Sequence, residues 1–321
     1  MDVHSESTYA TVLGPDGKIV AQNRVPNEFV PDFLKPFGVG KVGLEASTHV
    51  APLYRRLVEE GYDVLVSHPK KTRYIAEARI KSDRVDSKAI AELVRLDALP
   101  LSYMPPKNIA LLRERVRRRA FLVRERSKLM VKIRGVLAYE GLKPPEEYGL
   151  FTRRGVEWLQ SLGLDPVDCY LRVMAPLSGE IRRLSRELRH LAEEDEEVNL
   201  LTTIPGVGYY TALLVWAEVG DIHRFRTGDQ PCSYAGLVPS THSSGGVTRH
   251  GGITKEGSRW LRWVMVEAAM THLKYDTPIT RAYHRIAERR GRKTAQVAAA
   301  RRLLMCCWSV LRSKRSYHDQ A

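Results

Sequence analysis

The spacing of apolar residues divides the chain into a first part that alternates strand and helix patterns and a longer part dominated by helix patterns. Four runs rich in β-branched and apolar residues predict strands, at 8–13, 18–25, 42–45 and 63–67. The turn Gly14-Pro15-Asp16-Gly17 joins the first two into a hairpin. Three patterns with apolar positions three or four residues apart predict helices, at 52–61, 70–77 and 82–95. Strands alternating with helices predict a layered α/β domain over residues 1–108.

Two long helices are predicted in the middle region, 109–196. The apolar positions of the first helix keep coiled-coil spacing, with a polar interruption at Arg119: Ile109, Leu112, Val116, Val123, Met130, Ile133 and Leu137. The second helix repeats the pattern: Leu177, Ile181, Leu184, Leu188 and Leu191. The pair is predicted to be either an antiparallel arm or a coiled coil that forms a dimer.

The last region, 197–321, is predicted to be a helical domain. It opens with a helix–hairpin–helix pattern at 200–221, whose hairpin is Ile204-Pro205-Gly206-Val207-Gly208. Glycines at a helix N-terminus let backbone N–H groups approach a phosphate, so Gly206 and Gly208 are candidate nucleic-acid contacts. The polar, glycine-rich stretch 239–252 is expected to be a loop between helical segments.

The chain of 321 residues is basic, with 51 Lys and Arg against 37 Asp and Glu and a formal net charge of +14. This excess favours a polyanionic partner, because Lys and Arg displace counterions from phosphate backbones. Along the first long helix the stripe of basic residues is interpreted as one-sided in sign, which favours phosphate contact over a solvated face. The candidate nucleic-acid contacts outside the hairpin are Arg113, Arg117, Arg118, Arg124, Lys128, Arg249, Lys255, Arg259 and Arg262.

Cysteine usage and apolar runs restrict where the protein is expected to act. Cys169, Cys232, Cys306 and Cys307 form no C-x-x-C pair, which argues against a zinc site and a disulfide scaffold and favours a reducing cytoplasm. No signal-peptide pattern opens the sequence, and no apolar run reaches the roughly 20 residues of a membrane span. We therefore expect a cytoplasmic, nucleoid-associated bacterial protein without membrane contact.

Four acidic residues lie where their carboxylates can converge. Asp2 lies at the opening strand, Glu45 ends a later strand, and Asp83 and Asp86 are three residues apart at the start of a helix, so that both project from one face. Taken singly, an acid in such a position is more often solvated or capping. Together they predict a site for two Mg²⁺ ions, hard cations that prefer oxygen ligands and support phosphodiester chemistry in pairs.

The motifs around these acids, in their order along the chain, resemble the DEDD transposases of insertion-sequence family 110, also called bridge-RNA-guided recombinases. The matching segments cover essentially the whole chain: Met1-Asp2-Val3-His4, Gly43-Leu44-Glu45-Ala46-Ser47, Ser82-Asp83-Arg84-Val85-Asp86-Ser87, Thr203-Ile204-Pro205-Gly206-Val207-Gly208, Tyr234-Ala235-Gly236-Leu237-Val238-Pro239, Ser243-Ser244-Gly245-Gly246, Gly252-Ile253-Thr254-Lys255-Glu256-Gly257 and Leu261-Arg262. In one respect the sequence departs from the family pattern. Only Met1 precedes Asp2, so either an upstream start extends the first strand or that strand is short.

The resemblance implies a RuvC-like, ribonuclease-H-type N-terminal domain whose Mg²⁺ ligands are Asp2, Glu45, Asp83 and Asp86. It also implies a helical C-terminal transposase domain in which a serine attacks the scissile phosphate and forms a covalent 5′-phosphoserine link. That role is assigned to Ser244, with Ser243 as the alternative. The implied partners are DNA at the element ends and the target, an element-encoded non-coding bridge RNA, and further copies of the chain in a homodimer or homotetramer.

Two other functions remain open at this point. A RuvC-like Mg²⁺-dependent endonuclease of the junction-resolvase type would hydrolyse DNA with water and would need no serine nucleophile. A non-catalytic nucleic-acid-binding protein would use the same acids only for structure.

Overall fold

The computed structural model describes residues 1–75, 82–244 and 247–317, with side chains described except at 73–75, 241–244 and 247–250. The chain divides into two compact units, Met1–Met104 and Pro105–Ala321. The predicted α/β region followed by a helical region is confirmed at this level. The long helices assigned to 109–196 lie in the same compact unit as the C-terminal helices.

The first unit contains five strands and four helices within the described residues. In chain order they are β1 (Asp2–Val3), β2 (Ser7–Leu13), β3 (Ile19–Pro26), α1 (Val30–Leu34), β4 (Lys41–Glu45), α2 (Val50–Glu59), β5 (Asp63–Ser67), α3 (Pro69–Ile75) and α4 (Asp83–Arg95). The four strands expected from the alternation are confirmed, and β1 is only two residues long. The last two residues of the helix predicted at 70–77 lie outside the described residues.

Strands β1, β2 and β3 form an antiparallel sheet in that order, and β4 pairs with β5 in parallel. Two backbone hydrogen bonds set β1 beside β4 in parallel register: Met1 N donates to the Gly43 carbonyl at 2.8 Å, and Glu45 N donates to the Met1 carbonyl at 3.1 Å. The antiparallel and parallel parts therefore meet edge to edge at β1 and β4.

Helices cover both faces of these strands. Alternate strand residues, among them Met1, Val12 and Leu44, pack in one core with α1 and α2. The opposite face receives α4, whose Ile90, Leu93 and Val94 form a second core with Leu99. Gly43 permits this approach, since a Cβ there would lie 2.5 Å from Val94 Cγ2 and 2.9 Å from Ile90 Cγ2. The result is a helix–sheet–helix arrangement with the start of α4 above β1 and β2.

The second unit is helical apart from one hairpin within its described residues. Its elements are α5 (Lys107–Tyr139), α6 (Arg153–Ser161), α7 (Asp165–Glu193), α8 (Glu196–Thr202), α9 (Tyr209–Val219), α10 (Asp229–Tyr234), β6 (Pro239–Ser244), β7 (Val247–Ile253), α11 (Arg259–His272), α12 (Pro278–Arg290) and α13 (Arg292–Ser313). Helix α9 is apolar on nearly all sides and lies in the centre, packed against α5, α7, α8 and α11.

Helices α5 and α7 pack against each other along their length and run antiparallel. Val116 of α5 shares a core with Leu188 near the end of α7, whereas Ile133 shares one with Val167 near its start. Between these contacts, Arg119 Nε donates to Ser185 Oγ at 2.8 Å, so the polar interruption of the apolar seam makes an interhelical hydrogen bond. The apolar spacing therefore serves a helix pair within the chain.

The stretch 239–252 was expected to be a loop, and this expectation is wrong. β6 and β7 pair antiparallel, with Thr241 opposite His250 and Ser244 opposite Val247. Gly245 and Gly246, which connect the strands, lie outside the described residues. The physical reason is a two-residue glycine connection between segments containing Thr and Val, which is a hairpin signal.

No described helix is both long and apolar enough to cross a bilayer.

Candidate metal centre and nucleic-acid contacts

Asp2 and Glu45 extend from neighbouring strands toward the same side of the sheet. Met1 lies opposite Leu44 in the register between β1 and β4, and both of these side chains belong to the core on the α1 and α2 face. Because side chains alternate along strands, Asp2 and Glu45 project toward α4 from strands about 4.8 Å apart. Backbone pairing thus sets Asp2 and Glu45 side by side on neighbouring strands.

The amino group of Met1 lies beside this pair of carboxylates. Burial lowers its pKa from 8.0 to about 5, although the negative charges of Asp2 and Glu45 act in the opposite direction.

Asp83 and Asp86 lie in the first turn of α4. Ser82 caps this helix, its Oγ accepting a hydrogen bond from Val85 N at 3.3 Å. Free N–H groups at the helix start stabilise negative charge there, and the spacing of three residues puts both carboxylates on one side. The start of α4 therefore favours two acids on one side of the helix, and Asp83 is the one in contact with His4 and Arg24.

Polar contacts hold that end of α4 against the sheet. Ser87 Oγ and Thr11 Oγ1 are 2.7 Å apart and buried. Gln22 of β3 donates through Nε2 to the Arg84 carbonyl at 3.2 Å and accepts from Arg84 Nε at 2.7 Å. These bonds, together with the close approach at Gly43, set the position of Asp83 relative to Asp2.

His4 joins Asp2 to Asp83. Its Nε2 lies 3.4 Å from Asp2 Oδ2 and 3.3 Å from Asp83 Oδ2, and Arg24 Nη2 lies 2.6 Å from the same Asp83 oxygen. One ligand atom from each of Asp2, His4 and Asp83 lies within 4.8 Å of the others, a group that does not include Glu45 or Asp86. Two carboxylates and an imidazole are a donor set that suits a divalent cation.

Neither His4 nor Arg24 was among the predicted site residues. His4 had a sequence signal, because it follows Asp2 by two positions and so falls on the same side of an extended segment. Arg24 had none, since its contact depends on how β3 pairs with β2.

The two candidate serines lie at the end of β6. Ser243 is paired with Thr248 and Ser244 with Val247, the last pair before the connection between the strands. Their side chains, and that of Arg249 on β7, lie outside the described residues. The backbone places both serines at the tip of the hairpin.

Comparison with known proteins identifies the family. The model of the transposase IS116/IS110/IS902 family matches residues 198–285, and that of the IS110-type DEDD transposases matches residues 1–139. The chain is 30% identical over 326 residues to the transposase for insertion sequence element IS1111A of Coxiella burnetii, covering 94% of this chain and 85% of the relative. The chain belongs to the IS110-type transposase family. As a transposase it is an enzyme that cuts and rejoins DNA.

Two further relatives have similar coverage. A probable family 20 transposase of Pseudomonas aeruginosa is 27% identical, over 93% of this chain and 92% of its own length. The transposase for insertion sequence element IS1328 of Yersinia enterocolitica is 26% identical, over 85% of this chain and 83% of its own length. Membership in the DEDD group implies a divalent metal ion, and the Asp2, His4 and Asp83 group of the transposase can bind one.

Two of the predicted phosphate contacts on α5 bind other parts of the transposase. Arg113 is buried and donates to the carbonyls of Ala217 at 2.6 Å and Glu218 at 2.8 Å, at the end of α9. Arg117 forms a two-pronged ion pair with the Glu218 carboxylate at 2.6 and 2.8 Å. Both guanidinium groups therefore hold α5 against the central helix.

The other three predicted contacts on α5, Arg118, Arg124 and Lys128, are exposed, but the charge around them is not one-sided. Arg118 pairs with Glu114, and Lys128 pairs with Glu125 at 2.8 Å. Arg124 makes no ion pair with the described residues. A helix face with such mixed charges is typical of a solvated surface.

The hairpin between α8 and α9 contains one glycine needed for packing and one that is open. Gly206 has φ +84°, and a Cβ there would lie 2.6 Å from His272 N. The buried ring of His272 bonds the Pro205 carbonyl through Nδ1 at 2.6 Å, so the end of α11 supports the turn. Gly208 is exposed, begins α9 without a side-chain cap and has no neighbour near a Cβ position.

Three predicted contacts follow the β6–β7 hairpin. Arg262 donates to the Ala235 carbonyl at 2.7 Å, and burial lowers its pKa. Lys255 and Arg259 have exposed side chains, with the Arg259 guanidinium 5.4 Å from the centre of the Trp260 ring. Lys255 and Arg259 are thus accessible to a phosphate, whereas Arg262 supports the turn before the hairpin.

Proposed function

We propose that this transposase cleaves and rejoins DNA with Mg²⁺ held by Asp2, Glu45, Asp83 and Asp86. The observation that carries the proposal is the convergence of Asp2 and Asp83 within 4.8 Å of a shared histidine, with Glu45 in register beside Asp2. Mg²⁺ bound there would polarise a phosphoryl oxygen and neutralise charge that develops during phosphodiester exchange. Helices on both faces of the mixed sheet support a RuvC-like classification of the first unit.

The side chains around the acids have supporting roles in this proposal. Arg24 and His4 orient Asp83 and Asp2 through the contacts given above, and the Thr11–Ser87 pair holds α4 in place. Such preorganisation matters because small displacements of ligating groups weaken a site substantially.

Ser244 is the proposed nucleophile, with Ser243 as the alternative. Its Oγ attacks the scissile phosphorus, the bond from phosphorus to the 3′ oxygen breaks, and the released 3′ oxygen takes up the serine's proton. A phosphoserine link to the 5′ side remains, and attack by another 3′ hydroxyl reverses the step and restores the serine. The position of both serines at the hairpin tip supports access to DNA.

An element-encoded bridge RNA and a dimer or tetramer complete the proposal. Exchange of strands between two duplexes requires more than one active site, which favours an oligomer. The net charge of +14 supports binding of nucleic acid, and the resemblance to bridge-RNA-guided recombinases supports RNA as the guide.

The carboxylate part is tested by strand cleavage with the variants Asp83→Asn and Glu45→Gln. Each is expected to lower the Mg²⁺-dependent rate by on the order of a hundredfold or more, equivalent to about 3 kcal/mol in the barrier. Asp97→Asn is the matched control, because Asp97 is an exposed acid of the same unit that pairs with Lys41. Cleavage by both site variants at the rate of this control would refute the metal role of the cluster.

The serine part is tested by trapping the covalent intermediate. Ser244→Ala is expected to abolish the DNA adduct that survives denaturing electrophoresis, while Ser240→Ala, on the same strand, preserves it. Loss of the adduct only in Ser243→Ala would assign the role of nucleophile to Ser243. Full strand transfer by the double alanine variant would instead support attack by water.

A further inference from the structure

A basic groove lies between α12, α13 and the base of the β6–β7 hairpin. It has a volume of about 930 Å³ and an apolar floor that includes Leu237, Val297 and Met305. A smaller groove of about 380 Å³ adjoins it along α12 and α13 and shares Arg290, Thr294 and Arg302 with it among its lining residues. We call the two together the α12–α13 groove.

The walls of the α12–α13 groove carry an uncompensated positive charge. The basic residues that line it are Arg285, Arg289, Arg290, Lys293, Arg301 and Arg302, and neither lining contains an Asp or Glu. Arg301 pairs with Asp229 at 2.7 Å. The other five are exposed and make no ion pair within the described part of the chain. Like charges one helical turn apart repel one another, so an anion bound in the groove relieves a cost that the free protein bears.

The shape of the groove favours a nucleic-acid backbone over a small anion. Lys293 and Arg301 are eight residues apart on α13, which corresponds to about 12 Å, or roughly three to four nucleotides along one strand of a duplex. The apolar floor suits the sugar faces between successive phosphates. It offers few polar groups to read base edges, so recognition is expected to be independent of sequence.

The groove leads to the hairpin that carries the candidate nucleophile. Pro239, at the start of β6, and Gly252 and Ile253, at the end of β7, form one of its walls. A strand lying in the groove therefore passes the base of the hairpin whose tip carries Ser243 and Ser244.

We propose that the α12–α13 groove binds the phosphate backbone of the DNA strand that the hairpin serine attacks. This inference rests on the proposed function for the identity of the nucleophile, but the groove's affinity for DNA stands apart from catalysis. None of its basic residues belongs to the contacts expected from the sequence, because the charges of α12 and α13 converge only when the two helices pack together.

The test measures binding of a fluorescein-labelled DNA duplex by anisotropy, in EDTA so that no cleavage occurs. Lys293→Ala combined with Arg302→Ala is expected to weaken binding about tenfold or more and to reduce the slope of log affinity against log salt by about 2. The same loss is expected for a duplex of scrambled sequence. The control removes the same charge from exposed positions outside the groove, Lys143→Ala with Arg172→Ala, and is expected to bind like wild type.

A second pair of variants keeps the test valid if the double variant folds poorly. Thr294 is exposed in the groove near the start of α13, where a glutamate is favourable for the helix. Thr294→Glu is therefore expected to weaken DNA binding by repulsion, and Thr294→Gln to leave it unchanged. Equal affinities for these two variants would overturn the proposal.

Two other outcomes also decide against the groove. An equal loss in the control double variant would mean that net charge alone determines affinity. If the groove variants bind an RNA of the same sequence more weakly than wild type does, but bind DNA like wild type, the groove is assigned to RNA.

Strand cleavage with Mg²⁺ gives a second readout. The groove variants are expected to raise the DNA concentration for half-maximal rate about tenfold without changing the maximal rate. A wild-type protein that binds DNA through the groove but does not cleave it would refute only the proposed function.

Discussion

Arg117 provides the sharpest test of how α5 is held in the second unit. Its guanidinium is the ion-pair partner of Glu218, whose side chain is fully buried (0% exposed), while Arg117 itself is 38% exposed. The carboxylate also accepts from Ser258 Oγ at 2.8 Å, the hydroxyl that caps α11. Arg117→Ala would remove the ion pair from a carboxylate that is fully buried.

Removal of one partner from a buried ion pair costs about 3–5 kcal/mol. Water can enter the space that the exposed part of Arg117 vacates, so we expect the lower end, about 3 kcal/mol. For a unit of this size, about 2–4 °C is lost per kcal/mol, which gives a fall of roughly 6–12 °C in the Tm of the second unit. Scanning calorimetry measures it directly.

Arg118→Ala is the matched control on the same helix. Arg118 pairs with Glu114 at the surface, four residues away, and such pairs contribute about 0.3–0.5 kcal/mol. Glu218→Gln added to Arg117→Ala is expected to recover part of the lost stability, because a buried amide is less costly than a buried unpaired charge. The reasoning is refuted if Arg117→Ala has the same Tm as Arg118→Ala and instead weakens DNA binding.

Three further predictions concern packing and thiol reactivity. Gly43→Ala should destabilise the first unit by about 1–3 kcal/mol and weaken Mg²⁺ binding by displacing α4, whereas Gly40→Ala, with open space around it, should change neither. Gly206→Ala should lower the Tm of the second unit, because its positive φ and the nearby His272 backbone exclude a side chain, whereas Gly208→Ala should affect stability much less. At pH 8 a disulfide reagent should label one thiol per chain, the exposed Cys169. The other three thiols have pKa values raised by burial and therefore stay protonated and unreactive.

Each of these has a result that contradicts it. Equal Mg²⁺ affinity in Gly43→Ala and Gly40→Ala would show that the helix position does not control the site. Equal Tm values for Gly206→Ala and Gly208→Ala would contradict the packing role of Gly206. Rapid labelling of more than one thiol in the native protein, before denaturation exposes all four, would mean that the second unit opens readily.

Local patterns were sufficient for most of the first unit. The turn at residues 14–17 and the alternating residues around it predict β2 and β3, and the apolar spacing at 82–95 predicts α4. Helix α1 was not predicted, because Pro31 lies within a five-residue helix too short to show a period. Proline is tolerated there since it falls in the first turn.

Some features could not be predicted from local patterns, because they depend on contacts between residues far apart along the chain. The partners of Arg113 and Arg117 lie about a hundred residues away on α9, so a basic stripe on α5 could not be separated into packing and surface positions. The β6–β7 hairpin was missed for a different reason. Its two-glycine connection was interpreted as loop composition, although the same residues between strand-forming segments also predict a turn.

The carboxylate cluster was proposed from spacing along the chain, and the register between β1 and β4 gives it a structural basis. The most direct test is titration of the full-length protein with Mn²⁺, followed by electron paramagnetic resonance, with Mg²⁺ as competitor. Wild-type protein and Asp97→Asn should bind Mn²⁺ with equal affinity, and Asp2→Asn, Glu45→Gln, Asp83→Asn and Asp86→Asn should each bind it at least about tenfold more weakly, the loss of about 1.4 kcal/mol of ligand interaction. Wild-type affinity in the Glu45→Gln and Asp83→Asn proteins would contradict the proposed metal centre.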